Sequence, residues 1–180
     1  MDPFTFGAQL RGRMGVVPDG LGLFEELTLE EQLVLVGRVH GIAEEECQSR
    51  AEELGDLLGL REALWGRARI ASQGTRKKAA LALALLPNPD ILLLDEPFEG
   101  VDPGASRQIE SLLTSLAARG RSILFTVHDL TLVRRMASRI LLAMPGGNIT
   151  ERDPAELDPL DFGGSGIVAE LPTWLRSSSC

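Results

Sequence analysis

Asp95 and Glu96 follow the apolar run Ile91–Leu94, and His128 follows a second run, Ser122–Val127. If both runs are strands of a parallel sheet, all three side chains lie at strand carboxyl ends, where open α/β sheets bind ligands. Carboxylates in such a place can hold a hard cation or polarise a water. Taken alone, an acidic pair after a strand is also how a chain leaves its core. Upstream, Ser72, Gln73, Gly74 and Thr75 precede a helix containing Arg76, Lys77 and Lys78. Ser and Gly at a helix start leave amide N–H groups and the positive end of the helix dipole free for a phosphate. The plainer alternative is that Ser72 only caps the helix.

The elements that must position these groups follow from periodicity. Residues 14–18 read as an edge strand ended by Pro18, Asp19 and Gly20. Thr28 and Glu31 form a capping box ahead of Leu33, Val36 and Val39, one apolar helical face that ends near Gly41. Residues 43–58 form a second amphipathic helix, with Ala51, Leu54 and Leu58 opposite a glutamate-rich face. Residues 59–71 are less regular. Residues 76–86 read as a helix that is apolar all round and so buried, stopped by Pro87 and Pro89. The unbroken apolar run Ile91–Leu94 predicts a strand buried on both faces. Asp102 and Pro103 open a helix as N-cap and first helical residue, with Ile109, Leu112, Leu113 and Leu116 inward and Gly120 as its stop. A strand at Ser122–Val127, a helix capped by Asp129 and a strand at Arg139–Ala143 follow. Alternating strands and helices predict an α/β fold with a parallel sheet. Residues beyond Asp161 lack periodicity and are expected to be loosely ordered.

Over residues 14–157 the order of these features resembles that of ATP-binding-cassette (ABC) ATPases. ASQGT at 71–75 is similar to the family's signature motif, with Ser72 and Gly74 kept; ILLLDE at 91–96 is similar to the Walker B strand and its glutamate. Residues 100–102 match the loop that follows, and His128 matches the switch histidine. FEGVDP at 98–103 and the run SQGTRKKAALALALL look most like ATP-binding subunits of bacterial export systems. The resemblance implies a partial P-loop NTPase fold, mainly a parallel sheet flanked by helices, with an α-helical lobe. Its divisions would be residues 1–20 (a remnant of the N-terminal sheet with the Q-loop equivalent), 21–86 (helical lobe with the signature motif), 87–160 (α/β core) and 161–180 (tail).

The same resemblance implies ATP and Mg²⁺ as cofactors. Asp95 would hold Mg²⁺ through water, with Asp19 also on the metal side. Glu96 would polarise the attacking water, and His128 would contact the terminal phosphate and sense its loss. Ser72, Gly74 and Asp102 would act across a homo- or heterodimer interface on nucleotide held by the partner. The helical lobe would dock a membrane-spanning permease subunit from the cytoplasmic side, which places the protein peripherally on the inner face of the cell membrane.

Three departures matter. A Walker A loop needs Gly-Lys followed by Ser or Thr, because backbone amides cradle the phosphates and the Lys reaches them. Lys77 and Lys78 are the only lysines and neither follows a glycine. The family's N-terminal section, which carries that loop, is therefore expected to lie outside this sequence, and the isolated chain is expected to be inactive. Asp19 stands where the family has a glutamine, and Ala71, Gln73 and Thr75 depart from LSGGQ.

Composition narrows the classes. The 180 residues, 44% hydrophobic, suffice for one core with a small lobe beside it. A net charge of −8 argues against nucleic acid as partner. Cys47 and Cys180 form no disulfide or metal framework, which suits a reducing cytosol. No stretch reaches the roughly 18 apolar residues of a membrane span. The expected function is that of an ABC transporter's nucleotide-binding subunit; the alternative is a regulatory or interaction module that keeps the lobe and dimer surface without hydrolysis. A cassette protein acting away from membranes ranks last, since no insertion supports it.

Overall fold

The computed structural model describes residue 7 and residues 12–143, 148–156 and 166–171. The turn that Pro145, Gly146, Gly147 and Asn148 predict in the sequence falls, but for Asn148, outside the described residues, as does most of the tail. Strand β1 (Met14–Val17) leads into helices α1 (Leu29–Val39), α2 (Glu44–Leu57) and α3 (Gln73–Leu85). Then come β2 (Ile91–Leu94), α4 (Pro103–Ala118), β3 (Ser122–Val127), α5 (Leu130–Met136), β4 (Arg139–Ala143), β5 (Ile149–Arg152) and β6 (Gly166–Glu170).

Local chemistry sets the helix starts. Thr28 Oγ1 accepts from the Glu31 amide at 3.1 Å while Glu31 Oε2 accepts from the Thr28 amide at 2.7 Å, the reciprocal pair of a capping box. Asp102 Oδ1 accepts from the amides of Gly104 and Ala105, with Pro103 in the first turn of α4. Asp129 Oδ1 does the same for Thr131 and Leu132 at the start of α5. Helix α3 starts earlier than the apolar pattern suggests, at Gln73, because Ser72 supplies the cap.

The sheet order is β1-β2-β3-β6-β4-β5. The first three strands pair in parallel, with Val17 opposite Leu94 and Leu94 opposite Phe125. β6 pairs antiparallel to both β3 and β4, so β4 runs in the same direction as β3, and β5 returns antiparallel on the outside. β6 corrects the expectation for the tail. Ile167 and Ala169 are buried at 1% and 0% exposure, and Leu171 continues the alternation with its amide bonded to Ile123 O. That period-two pattern spans too few residues, after a glycine-rich stretch, to stand out in the sequence.

One face of the sheet is closed. Val17, Leu92, Leu94, Ile123, Phe125 and Ile140 point into a core shared with α3 and α4. Helix α3 lies so close over β1 that a side chain on Gly15 would collide with Ala84 O. The opposite face corrects a second expectation. Val16 is 54% exposed, and Ile91, Leu93, Leu124 and Val168 are only half-buried. β2 is therefore buried on one face, because no layer among the described residues covers the other.

Candidate functional site

Strand register brings the ends of β1, β2 and β3 side by side, and the chain beyond β2 is pinned there: the Asp95 amide donates to Val17 O at 2.8 Å. Thr126, on β3, joins the two carboxylate residues. Its hydroxyl donates to Asp95 Oδ1 at 2.6 Å, and the same oxygen accepts from the Glu96 amide at 2.8 Å. Thr126 escaped the sequence reading; its only signal is its place two residues before His128, on the half-buried face of the strand.

Glu96 turns sharply out of β2 with φ +45°, a left-handed conformation that non-glycine residues avoid. Its carbonyl accepts from Lys77 Nζ of α3 at 2.6 Å. Its carboxylate Oε1 lies 2.8 Å from His128 Nε2. The Glu96 side chain is 16% exposed whereas that of His128 is 72% exposed, so the imidazole is the open end of the pair. Burial pushes the Glu96 carboxyl above its ordinary 4.5, with Glu99 and Asp95 adding to the rise and His128 and Lys77 opposing it. Asp95 is exposed at the strand end, and Asp19 is exposed in the turn closing β1, the neighbouring strand.

Ser72 and Gly74 form a second group. Ser72 Oγ caps α3, accepting from the Thr75 amide at 3.1 Å and sharing a hydrogen with Thr75 Oγ1 at 2.8 Å. Gly74 is buried against the loop after β2: a Cβ there would lie 3.1 Å from Asp102 Oδ2 and 3.3 Å from Ala105 Cβ. A side chain here would have to push these neighbours aside by a few tenths of an ångström. The amides of Ala105 and Gly104 hold the Asp102 carboxyl below its ordinary 3.8, with Lys78 contributing. The structure thus brings Asp95 and Glu96 together through Thr126 and His128 to them through the Glu96 carboxylate, and Ser72, Gly74 and Asp102 together through the α3 turn. The two groups are linked by Lys77. His40 caps the end of α1 and is exposed, as a structural histidine would be.

Among the described residues no cluster of three His, Cys, Asp or Glu side chains is arranged to hold a metal ion. Asp95 alone suits a cation that keeps most of its water and takes its remaining ligands from phosphate, which is the habit of Mg²⁺.

The profile of the ABC transporter family matches residues 4–99. The chain belongs to this family. Among curated ABC proteins, the Nod factor export ATP-binding protein I of Paraburkholderia xenovorans (strain LB400) is 34% identical over 153 residues, 85% of this chain and 50% of that protein. The chain thus spans about half the length of the curated relatives it matches. Among solved structures, cbiO1 from Clostridium perfringens, part of the ABC transporter complex cbiONQ, superposes with a TM-score of 0.69 at 25% identity, over 83% of this chain and 60% of that one. The ATP-binding cassette MJ0796, in a dimeric post-hydrolysis state bound to ADP and Pi, gives 0.74 at 24% identity, over 86% and 68%, a likeness of fold. The mixed sheet with flanking helices is therefore that of an ABC ATPase, and the family is one whose members bind ATP with Mg²⁺.

Proposed function

We propose that this chain supplies the Walker B, switch-histidine and signature portions of an ABC transporter's nucleotide-binding subunit, and that ATP hydrolysis in the complete cassette depends on them. The observation that carries the reading is the set Asp95, Thr126, Glu96 and His128 at the carboxyl ends of adjacent strands, in the neighbourhood of the α3 turn. In this reading residues 21–86 are the helical lobe and 87–160 the α/β core.

Asp95 would hold Mg²⁺ through water, and the ion when bound supplies positive charge to phosphate oxygens. Glu96 accepts a hydrogen bond from the attacking water and draws its proton. A carboxyl raised by burial is a better proton acceptor than an exposed one. His128, exposed and 2.8 Å from Glu96, turns between that carboxylate and the terminal phosphate. Asp19 borders the metal side from β1. Ser72 and Gly74 present the amino end of α3 to nucleotide held by a second cassette, with Asp102 at the same interface.

Pairing with a membrane-spanning permease is proposed from the family and from cbiO1, which is part of a transporter complex. A peripheral place on the inner membrane face accords with the absence, among the described residues, of any helix long and apolar enough to cross a membrane. An export role is proposed because the relative from Paraburkholderia xenovorans is named for export. A second reading is a non-hydrolytic regulatory or interaction module that keeps the lobe and dimer surface; the presence of Glu96 and His128 argues against it.

The experiment joins this chain to polypeptide carrying a Gly-Lys phosphate loop, either fused or co-expressed, and measures phosphate release. Hydrolysis that Glu96→Gln abolishes while Mg-ATP binding persists is the expected result. Equal hydrolysis in that variant would exclude Glu96 as base. No hydrolysis in any such assembly would favour the regulatory module.

A further inference from the structure

Lys77 is 3% exposed, and the proposed function gives it no role. It sits in α3 five residues after the Ser72 cap, and its ammonium donates to the carbonyl oxygen of Glu96 at 2.6 Å across a sequence gap of 19 residues. Burying an ammonium is costly unless it finds a strong acceptor, and a charge-assisted bond to a carbonyl is such a partner. The carbonyl it meets belongs to the residue with φ +45°. Left-handed backbone at a side-chain-bearing residue persists only where its surroundings over-determine it. At Glu96 they do so from two sides, since Thr126 Oγ1 takes the amide hydrogen and Lys77 takes the carbonyl. The direction in which the Glu96 carboxylate leaves the backbone, toward His128, is set by those two bonds.

The helix carrying Lys77 is itself fixed to the loop after β2. Gly74 packs against Asp102, where a Cβ would stand 3.1 Å from Oδ2, and Lys78, also buried, donates to Gln108 Oε1 of α4 at 3.1 Å. Any displacement of the Ser72–Gly74 turn therefore reaches Glu96 through little more than one helical turn and one hydrogen bond. We infer that Lys77 is a positioning residue: its bond to the Glu96 carbonyl holds the left-handed turn that aims the Glu96 carboxylate at His128, and ties that carboxylate to the α3 turn of the same chain. Its value for hydrolysis rests on the proposed role of Glu96; the coupling itself does not.

The test uses the full chain and proton NMR at mildly alkaline pH, where free imidazoles are neutral. The two histidines make it direct, because His40 at the end of α1 serves as an internal reference for His128. In Lys77→Met the His128 ring resonance is expected to move toward its position in Glu96→Gln, while His40 stays in place. The amide-to-Hα coupling of Glu96 should lose its left-handed value. Lys77→Arg, which keeps the charged donor, should restore both. Lys78→Met, which removes the neighbouring lysine, 9% exposed and bonded to Gln108 instead of Glu96, should leave both unchanged. If Lys77→Met does not fold, Lys77→Gln replaces it; its shorter amide cannot span to the carbonyl, and the same displacement is expected. A His128 resonance that is unmoved in the Lys77 variants, or moved as far by Lys78→Met, would overturn the inference. Hydrolysis is not read, so an inactive cassette would count against the proposed function alone.

Discussion

The hydroxyl of Thr126 is held between Asp95 and the chain leaving β2, donating to Asp95 Oδ1 at 2.6 Å and accepting from the next residue's amide at 2.8 Å. One side-chain oxygen thereby fixes both the carboxylate suited to a cation and the backbone of the carboxylate suited to a water. Thr126→Val keeps the shape and removes both bonds, leaving the Glu96 N–H without its partner. Such a loss costs about 1–3 kcal/mol. Urea unfolding of the isolated chain should show it, whereas Thr126→Ser should lose far less.

Gly74→Ala sets two effects against each other. Alanine is favoured over glycine by about 1 kcal/mol in a helix interior, a gain only partly realised in the first turn. Against it, a Cβ 3.1 Å from Asp102 Oδ2 pushes on a carboxylate that caps α4 through two amides. Weakening such a cap costs about 0.5–2 kcal/mol, so net destabilisation is expected. A variant with a higher melting temperature than the parent would contradict the close packing of these two residues.

Gln32 is 1% exposed, with its oxygen accepting from the Phe24 amide at 2.9 Å and its nitrogen donating to Phe24 O and Leu27 O. Gln32→Leu keeps the volume and leaves the Phe24 N–H without its partner at a cost of about 1–3 kcal/mol, while Phe24 O and Leu27 O keep the amides of Leu27 and Ala68. Limited proteolysis should then cut first within residues 20–28, ahead of any global loss of helix signal.

The pH dependence has opposite signs at two carboxyls. Glu96 is raised, mainly by burial, so it binds its proton more tightly folded than unfolded. Its contribution is fully present below 4.5 and is lost as pH rises through the raised value. Glu96→Gln should therefore gain stability relative to the parent as pH climbs out of that range. Asp102 is lowered, first by the Ala105 amide, so its contribution is present above 3.8 and lost as pH falls through the lowered value. The unfolding curves of Asp102→Asn and the parent should converge in acid. Chemical unfolding across pH measures both.

What could be read in the sequence was local or strongly periodic. The caps at Thr28, Asp102 and Asp129 lie within three residues of their partners, and the runs Ile91–Leu94 and Ser122–Val127 are long enough to mark strands. Asp95, Glu96 and His128 were visible because they end those strands. Lys77 and Thr126 were not, since their partners stand 19 and about 30 residues away and a single Lys or Thr carries no spacing signal. The left-handed turn at Glu96 was hidden because nothing in Asp-Glu-Pro demands it; tertiary bonds impose it. The half-open sheet was hidden for the opposite reason, because an apolar run reads the same whether one face or both are covered.

β6 gives the chain an awkward birth. The strand between β3 and β4 is the last described piece of the polypeptide to leave the ribosome, so the hairpin of β4 and β5 has no edge to join until residue 171 has been made. Until then the nascent chain exposes two unsatisfied edges, β3 on one side and β4 on the other, each able to recruit a stray strand. The sheet closes from its middle, by a strand that is made after both of its neighbours.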